Sequence, residues 1–175
     1  MHYVQQSYPQ ALEYFLQVKT VCKENGDVDG LQRALGNIGN VYARRDDDAA
    51  ALEHYEQQEC LCRETGNTSG LLAAIGGQGV IHSRRKDFNR AVSLYRKQED
   101  LCEELDDLNG MQMAMGNLGT TLLEMGDAGE AIEVFMKRQE LCERIGDPEG
   151  VRKARQGRVD ALVRLGRLDE ALDLV

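Results

Sequence analysis

No apolar run in this chain approaches the ~18 residues that a membrane-spanning helix needs, and the first residues do not read as a secretory signal. Basic residues do not predominate either. The chain has 21 Lys and Arg against 30 Asp and Glu, a net charge of −9. Nucleic acid and anionic membrane both demand a basic footprint, so the balance argues against them as general partners. Strand signals and low-complexity linkers are missing. The histidines are few and scattered (His2, His54 and His82), and no Cys or His pair has ligand spacing, which leaves a metal without support. No nucleophile stands in a pattern that would pair it with a base, and the carboxylates fall on exposed faces or at helix caps. The reading is therefore non-catalytic, with no catalytic residue and no cofactor. A hydrophobic content of 42% excludes a disordered chain.

Cysteine is present five times, an odd number. Cys22, Cys62, Cys102 and Cys142 stand 40 residues apart. Equivalent places in successive helical layers lie roughly 10 Å from one another, too far for a disulfide that needs Cα atoms within about 7 Å. Cys60 and Cys62, two apart on one helix, point to different faces. All five read as free thiols, four of them small soft residues packed between helices. That implies a reducing, cytoplasmic compartment.

The same 40-residue spacing governs the rest of the chain. Gly30, Gly70, Gly110 and Gly150 repeat at it, as do Ala11, Ala51, Ala91, Ala131 and Ala171. A fixed period in this range marks an array in which one supersecondary unit stacks on copies of itself. Within one unit, Met111, Ala114, Met115, Leu118, Leu122 and Met125 form a first helical stripe, and Ala131, Ile132, Phe135, Leu141, Cys142 and Ile145 a second. Each unit is two helices. Asp27, Asn67, Asp107 and Asp147 are expected N-caps. Gly26, Gly66 and Gly146 precede three of them and suit a left-handed helix end, with Asp106 in the fourth place. Pro148 fits the first helical position. The spacing predicts helices over 8–25, 28–45, 48–65, 68–85, 88–105, 108–125, 128–145 and 148–165, with a ninth starting near 168.

Glycines inside helices cost about 1 kcal/mol each against alanine, so Gly36, Gly76 and Gly116, and Gly39, Gly79 and Gly119, need a reason. The expectation is that two backbones approach closely there. A phosphate-cradling loop is disfavoured because these glycines lie within helices and no Lys-Ser/Thr follows them.

The segment Ile38-Gly39-Asn40-Val41-Tyr42, followed by Ala51 and Tyr55, resembles the tetratricopeptide repeat, which reads roughly W-x2-L-G-x2-Y and then A-x3-F. Leu118-Gly119 with Ala131 and Phe135, and Gly79 with Ala91 and Tyr95, match in the same way. The usual unit has 34 residues; the longer unit here looks like a 40-residue variety with GNxGN-type signatures, seen in residues 35–40 and 115–120. The resemblance implies an all-α, right-handed superhelical solenoid of antiparallel helix pairs. About four repeats are expected as one array over 1–175, with pairs near 28–65, 68–105, 108–145 and 148–175. Residues 1–5 align with the tail of a first helix, leaving 8–25 as an orphan second helix, and the last helix stops early. The expectation is a fragment of a longer array whose ends could self-associate.

The resemblance also implies a function: a scaffold that binds a protein or peptide in a concave groove lined by the first helix of each pair. Carried over to this chain, the groove-facing places are Arg33, Asn37, Asn40 and Arg44; Gly77, Val80, Ser83 and Arg84; Met113, Asn117, Thr120 and Glu124; and Lys153, Gly157, Asp160 and Arg164. The partner-binding set read from these is Arg33, Asn37, Asn40, Arg44, Ser83, Arg84, Asn117, Thr120 and Arg164. Asparagine offers donors and an acceptor to a peptide, and arginine forks bind carboxylates. Arg44 and Arg84 also sit in last helical turns, where they could simply oppose the helix dipole. The two-carboxylate clamp of some co-chaperones is not matched, since of Gly36, Asn40, Gly77, Met113 and Asn117 only Asn40 fits it. In 151–167, Arg155 and Arg158 replace apolar residues of the preceding layer. They either meet acids such as Glu140 or Glu143 or face a partner. The alternative function is a regulatory or sensor segment of a larger signalling protein, for example beside a signalling ATPase module.

Overall fold

The structure, a computed structural model, describes residues 8–174; His2 and residues 1–5, where the tail of a first helix is expected, lie outside the described residues. Among these, nine α-helices and no strand are present: α1 Tyr8–Asn25, α2 Val28–Arg44, α3 Asp48–Thr65, α4 Thr68–Arg84, α5 Phe88–Glu104, α6 Leu108–Met125, α7 Ala128–Ile145, α8 Pro148–Arg164 and α9 Leu168–Leu172. Each of the first eight boundaries lies within one residue of the sequence expectation, because the chain is punctuated at every turn. Asp27, Asn67, Asp107 and Asp147 each accept a hydrogen bond from the backbone N–H three residues on, at 2.9–3.0 Å. Asp47 does the same for Ala50 at 3.2 Å. These bonds satisfy donors that a helix start leaves orphaned.

The helix ends use the left-handed conformation. Gly26, Gly66, Gly126, Gly146 and Gly166 have φ of +67° to +102°, whereas Asp46, Lys86 and Asp106 hold φ of +55° to +61° with a side chain in place. Asp106 was anticipated there; Asp46 and Lys86 were not. Asp tolerates this region, but Lys gains nothing from it, and the conformation costs a side-chain-bearing residue roughly 1–2 kcal/mol. Lys86→Gly is therefore expected to stabilise the protein by about 0.5–1 kcal/mol once the extra freedom of glycine in the unfolded chain is subtracted. A shift of the urea midpoint to lower denaturant would refute the assignment.

The chain divides into two compact units, Met1–Ile81 and His82–Val175. In the first, Ala51, Tyr55 and Ile81 are buried together, flanked by Tyr42, Ala43 and Leu52. In the second, Ala91, Tyr95, Leu118, Leu122, Ala131, Phe135 and Ala161 belong to one core. Ala51, Ala91 and Ala131 are wholly buried, which is where close helix packing tolerates no larger side chain.

The glycine expectation needs correction. What comes close to Gly39 is not a backbone but the ring of Tyr55: a Cβ on Gly39 would stand 2.6 Å from it, and one on Gly77, 2.8 Å. In the second unit, Gly119 and Gly157 flank Phe135 in the same way, at 2.7 and 2.6 Å. The rings of Tyr55 and Phe135, each from the second helix of a pair, are thus held between two glycines of first helices. At Gly36 and Gly116 the occupant is a polar tip, Gln58 and Arg138 respectively.

The four periodic cysteines are free and buried, and Cys60 is free and exposed. Burial raises the Cys102 thiol to about 11 and also pushes Cys62 and Cys142 upward, so these thiols stay protonated near neutral pH. A polar clamp around the buried Gln32 ties the first unit together. Gln32 donates to Thr65 Oγ1 (2.6 Å) and accepts from Asn67 Nδ2.

Candidate partner-binding grooves

Each unit carries a groove, and each is built on the first helix of its pairs. In the first unit a trough of about 660 Å³ runs along α2. Arg33, Asn37 and Asn40 project into it because they lie three and four residues apart on one helical face. Tyr55 and Gln58 enter from α3, and Asn67, Ser69 and Ala73 from the start of α4. Asn40 is oriented from below: its Oδ1 accepts the Tyr55 hydroxyl proton at 2.7 Å, which leaves the Nδ2 hydrogens as the donors available to the trough. Asp29 and Arg33 contribute one charge of each sign. The surface is therefore close to neutral and rich in carboxamide.

In the second unit a groove of about 370 Å³ is lined by Thr120 and Glu124 of α6, Arg138 of α7, and Arg152, Lys153, Asp160 and Arg164 of α8, among others. Much of its charge is already engaged. Arg152 and Lys153 both pair with Glu149, and the hydrogen-bonded Arg152 guanidinium draws the Glu149 carboxyl down to about 2. Arg164 donates to the Leu123 carbonyl, and Thr120 to the Gly116 carbonyl of its own helix at 2.9 Å. Thr120 holds the place of Asn40, and Phe135 that of Tyr55. Where the ring lacks a hydroxyl, the residue above it needs no acceptor.

The nine residues read from sequence separate accordingly. Arg33, Asn37 and Asn40 meet in the first trough, and Thr120 and Arg164 in the second groove. Arg44 and Arg84 are exposed at the last turns of α2 and α4, outside both linings. Asn117 is half-buried on α6 and also outside them. Ser83 exchanges a hydrogen bond with the buried Thr121 at 3.1 Å, which makes it a packing contact between helices. On α8, Arg158 reaches back to α7, but its partner is the Gln139 carboxamide at 2.8 Å and not a carboxylate. Gln58 and Arg138 escaped the sequence reading because they come from second helices. The signal was nonetheless there, since Gln58, Gln98 and Arg138 repeat at the 40-residue period opposite the repeating glycines. Among the described residues no group of His, Cys, Asp and Glu is placed to hold a metal ion, and no helix is long and apolar enough to cross a membrane.

Helix hairpins in tandem, a Gly–aromatic interlock and a groove on the first helices define an all-α repeat solenoid. Tetratricopeptide repeat profiles match residues 34–68 and 114–144. No curated protein sequence matches the chain. Among solved structures it is similar to nearly identical TPR-like repeats of a kinesin light chain candidate from Podosopora anserina, with 15% identity, 97% of this chain and 84% of that one covered, and a TM-score of 0.80. It is also similar to aspartyl phosphate phosphatase F from Bacillus subtilis, at 14% identity and TM-score 0.83 over 98% of this chain and 45% of that one. A third likeness is to a signal transduction ATPase with a tetratricopeptide repeat sensor from Pyrococcus horikoshii, at 15% identity and TM-score 0.77 over 98% of this chain and 27% of that one. At such identities the likeness establishes the fold alone. The chain spans under half the length of the latter two.

Proposed function

We propose that this chain is a non-catalytic interaction scaffold that holds a peptide or protein segment in its grooves, above all in the trough of the first unit. The observation that carries this reading is the convergence there of Arg33, Asn37 and Asn40 on one open face, with Asn40 preset by the Tyr55 hydroxyl. Carboxamides without an accompanying nucleophile suit recognition of peptide groups. The tetratricopeptide profiles support the class, and the 40-residue GNxGN-type variety is part of the same proposal. So are a cytoplasmic location, consistent with five free thiols, and a contribution of Arg44, Arg84 and Asn117 at the margins of the binding surface. The sensor-bearing ATPase among the structural likenesses favours one second reading, a regulatory repeat segment of a larger signalling protein.

Arg33→Ala with Asn37→Ala tests the proposal more cleanly than Asn40→Ala, which would also strip the Tyr55 hydroxyl of an acceptor. In an affinity capture read by mass spectrometry, the double variant is expected to lose the proteins retained by the parent chain while keeping its helical circular-dichroism spectrum. Retention of the same proteins by both chains would remove the trough from consideration.

A further inference from the structure

The first trough holds one group that its own fold leaves unmatched. Gln58 is 5% exposed, and its Oε1 is enclosed without a hydrogen-bond partner. The carboxamide lies over Gly36, where a Cβ would stand 2.7 Å from Nε2 and 2.8 Å from Oε1. It also lines the same trough as Arg33, Asn37 and Asn40. A buried acceptor left unpaired is costly, and a ligand that donates to it recovers that cost. In the groove of the second unit the equivalent place, two periods on, is held by Arg138, which has no acceptor to offer and already donates to Gln112 Oε1 at 3.1 Å.

We propose that Gln58 is a main-chain anchor: an extended peptide lies along α2, and the Gln58 carboxamide, whose Oε1 is enclosed in the free chain, turns into the trough so that one backbone N–H of the peptide donates to that oxygen. This rests on the peptide-binding reading above and names the part of the peptide that is read. Three features favour a backbone donor. Asp29 and Arg33 cancel, so the trough offers no net field to a charged side chain. The groups beside Gln58 are carboxamides, which complement a peptide unit donor for acceptor. Their spacing also fits. Arg33 and Asn37, one turn apart, rise along α2 by about 6 Å at 1.5 Å per residue, near the ~6.7 Å over which an extended chain repeats its main-chain groups.

The test uses the full chain panned against a phage-displayed library of random dodecapeptides, with the tightest binder then made synthetically. Single N-methylation along that peptide removes one backbone donor at a time. One position is expected to weaken binding at least tenfold when methylated, while alanine at that position weakens it less than threefold. Gln58→Leu is expected to weaken the unmethylated peptide about tenfold and to shrink the N-methyl penalty below twofold. Its thermal midpoint should hold, since an apolar isostere replaces an unpaired acceptor. Gly36→Ala supplies a second variant: its Cβ displaces the Gln58 carboxamide, so binding falls although a helix former has replaced glycine. An equal N-methyl penalty in the parent and Gln58→Leu proteins overturns the anchor. If Arg33→Ala and Asn37→Ala weaken binding and Gln58→Leu does not, the anchor fails and the trough survives. Binders indifferent to all of these variants, or a library that yields none, overturn both.

Discussion

Phe135→Ala is expected to lower the unfolding free energy by about 3–5 kcal/mol, the usual loss for a buried phenylalanine. The ring is 3% exposed within the main core of the second unit, and the backbones of Gly119 and Gly157 close on its two sides. No neighbouring helix can settle into the space without moving a hairpin, so the cavity persists. The flanking glycines give the reciprocal result. A Cβ on Gly157 would stand 2.6 Å from the ring, and the ring cannot retreat because Gly119 walls the other side. Overpacking of this kind costs about 1–3 kcal/mol, against a gain of about 1 kcal/mol in helix propensity. Gly157→Ala should therefore be a net loss of up to about 2 kcal/mol in urea denaturation followed by circular dichroism. In a Phe135→Leu background most of that loss should vanish. A stabilising Gly157→Ala in the parent chain would mean that the glycine is there for some reason other than the ring.

Gly150→Ala is expected to cost about 1–3 kcal/mol, net of the gain in helix propensity, through a different contact. Its Cβ would meet Asp147 Oδ2 at 2.4 Å and Cys142 Sγ at 2.5 Å. The new methyl must displace the carboxylate that caps α8, a loss of about 1 kcal/mol, and press on a thiol with no exposed surface, which adds overpacking. Cys142→Ala should return part of the stability by vacating the space. Gly129 is the matched control. It lies in the first turn of α7 with nothing within 4 Å of its Cβ position, so Gly129→Ala should be neutral or stabilising. Equal effects at Gly150 and Gly129 would show that the thiol and the cap are not what reserves Gly150 for glycine. The same trio recurs as Cys22–Asp27–Gly30, Cys62–Asn67–Gly70 and Cys102–Asp107–Gly110, which is why cysteine, cap and glycine share one period.

These two interlocks mark how far the residues could be read in advance. The thiol's soft packing role and the cap at Asp147 were legible separately. That the cysteine, the cap and Gly150 exclude one another's volume was not, because the contact joins the end of one helix to the start of the next. Gly39 and Gly119 announced themselves by their period and their cost, but period does not say what fills the space. A ring 16 residues along the chain does. In the candidate trough, Arg33, Asn37 and Asn40 follow from helical spacing on a single element. Gln58 does not, since its burial depends on Gly36 across the hairpin. Ser83 reads as a groove residue until Thr121 is seen to claim its hydroxyl.

By itself the sequence determined the helices, their ends and the tight turns that make hairpins of neighbours, because caps, left-handed glycines and apolar stripes act within a few residues of one another. Only the tertiary structure decided which side chains those hairpins press together. Hence it alone distinguished polar groups consumed by packing, such as Ser83 and Gln32, from a buried acceptor that the fold leaves unmatched, Gln58 Oε1. The reason is that burial and hydrogen-bond satisfaction belong to pairs of surfaces, and a local pattern specifies only one surface of each pair.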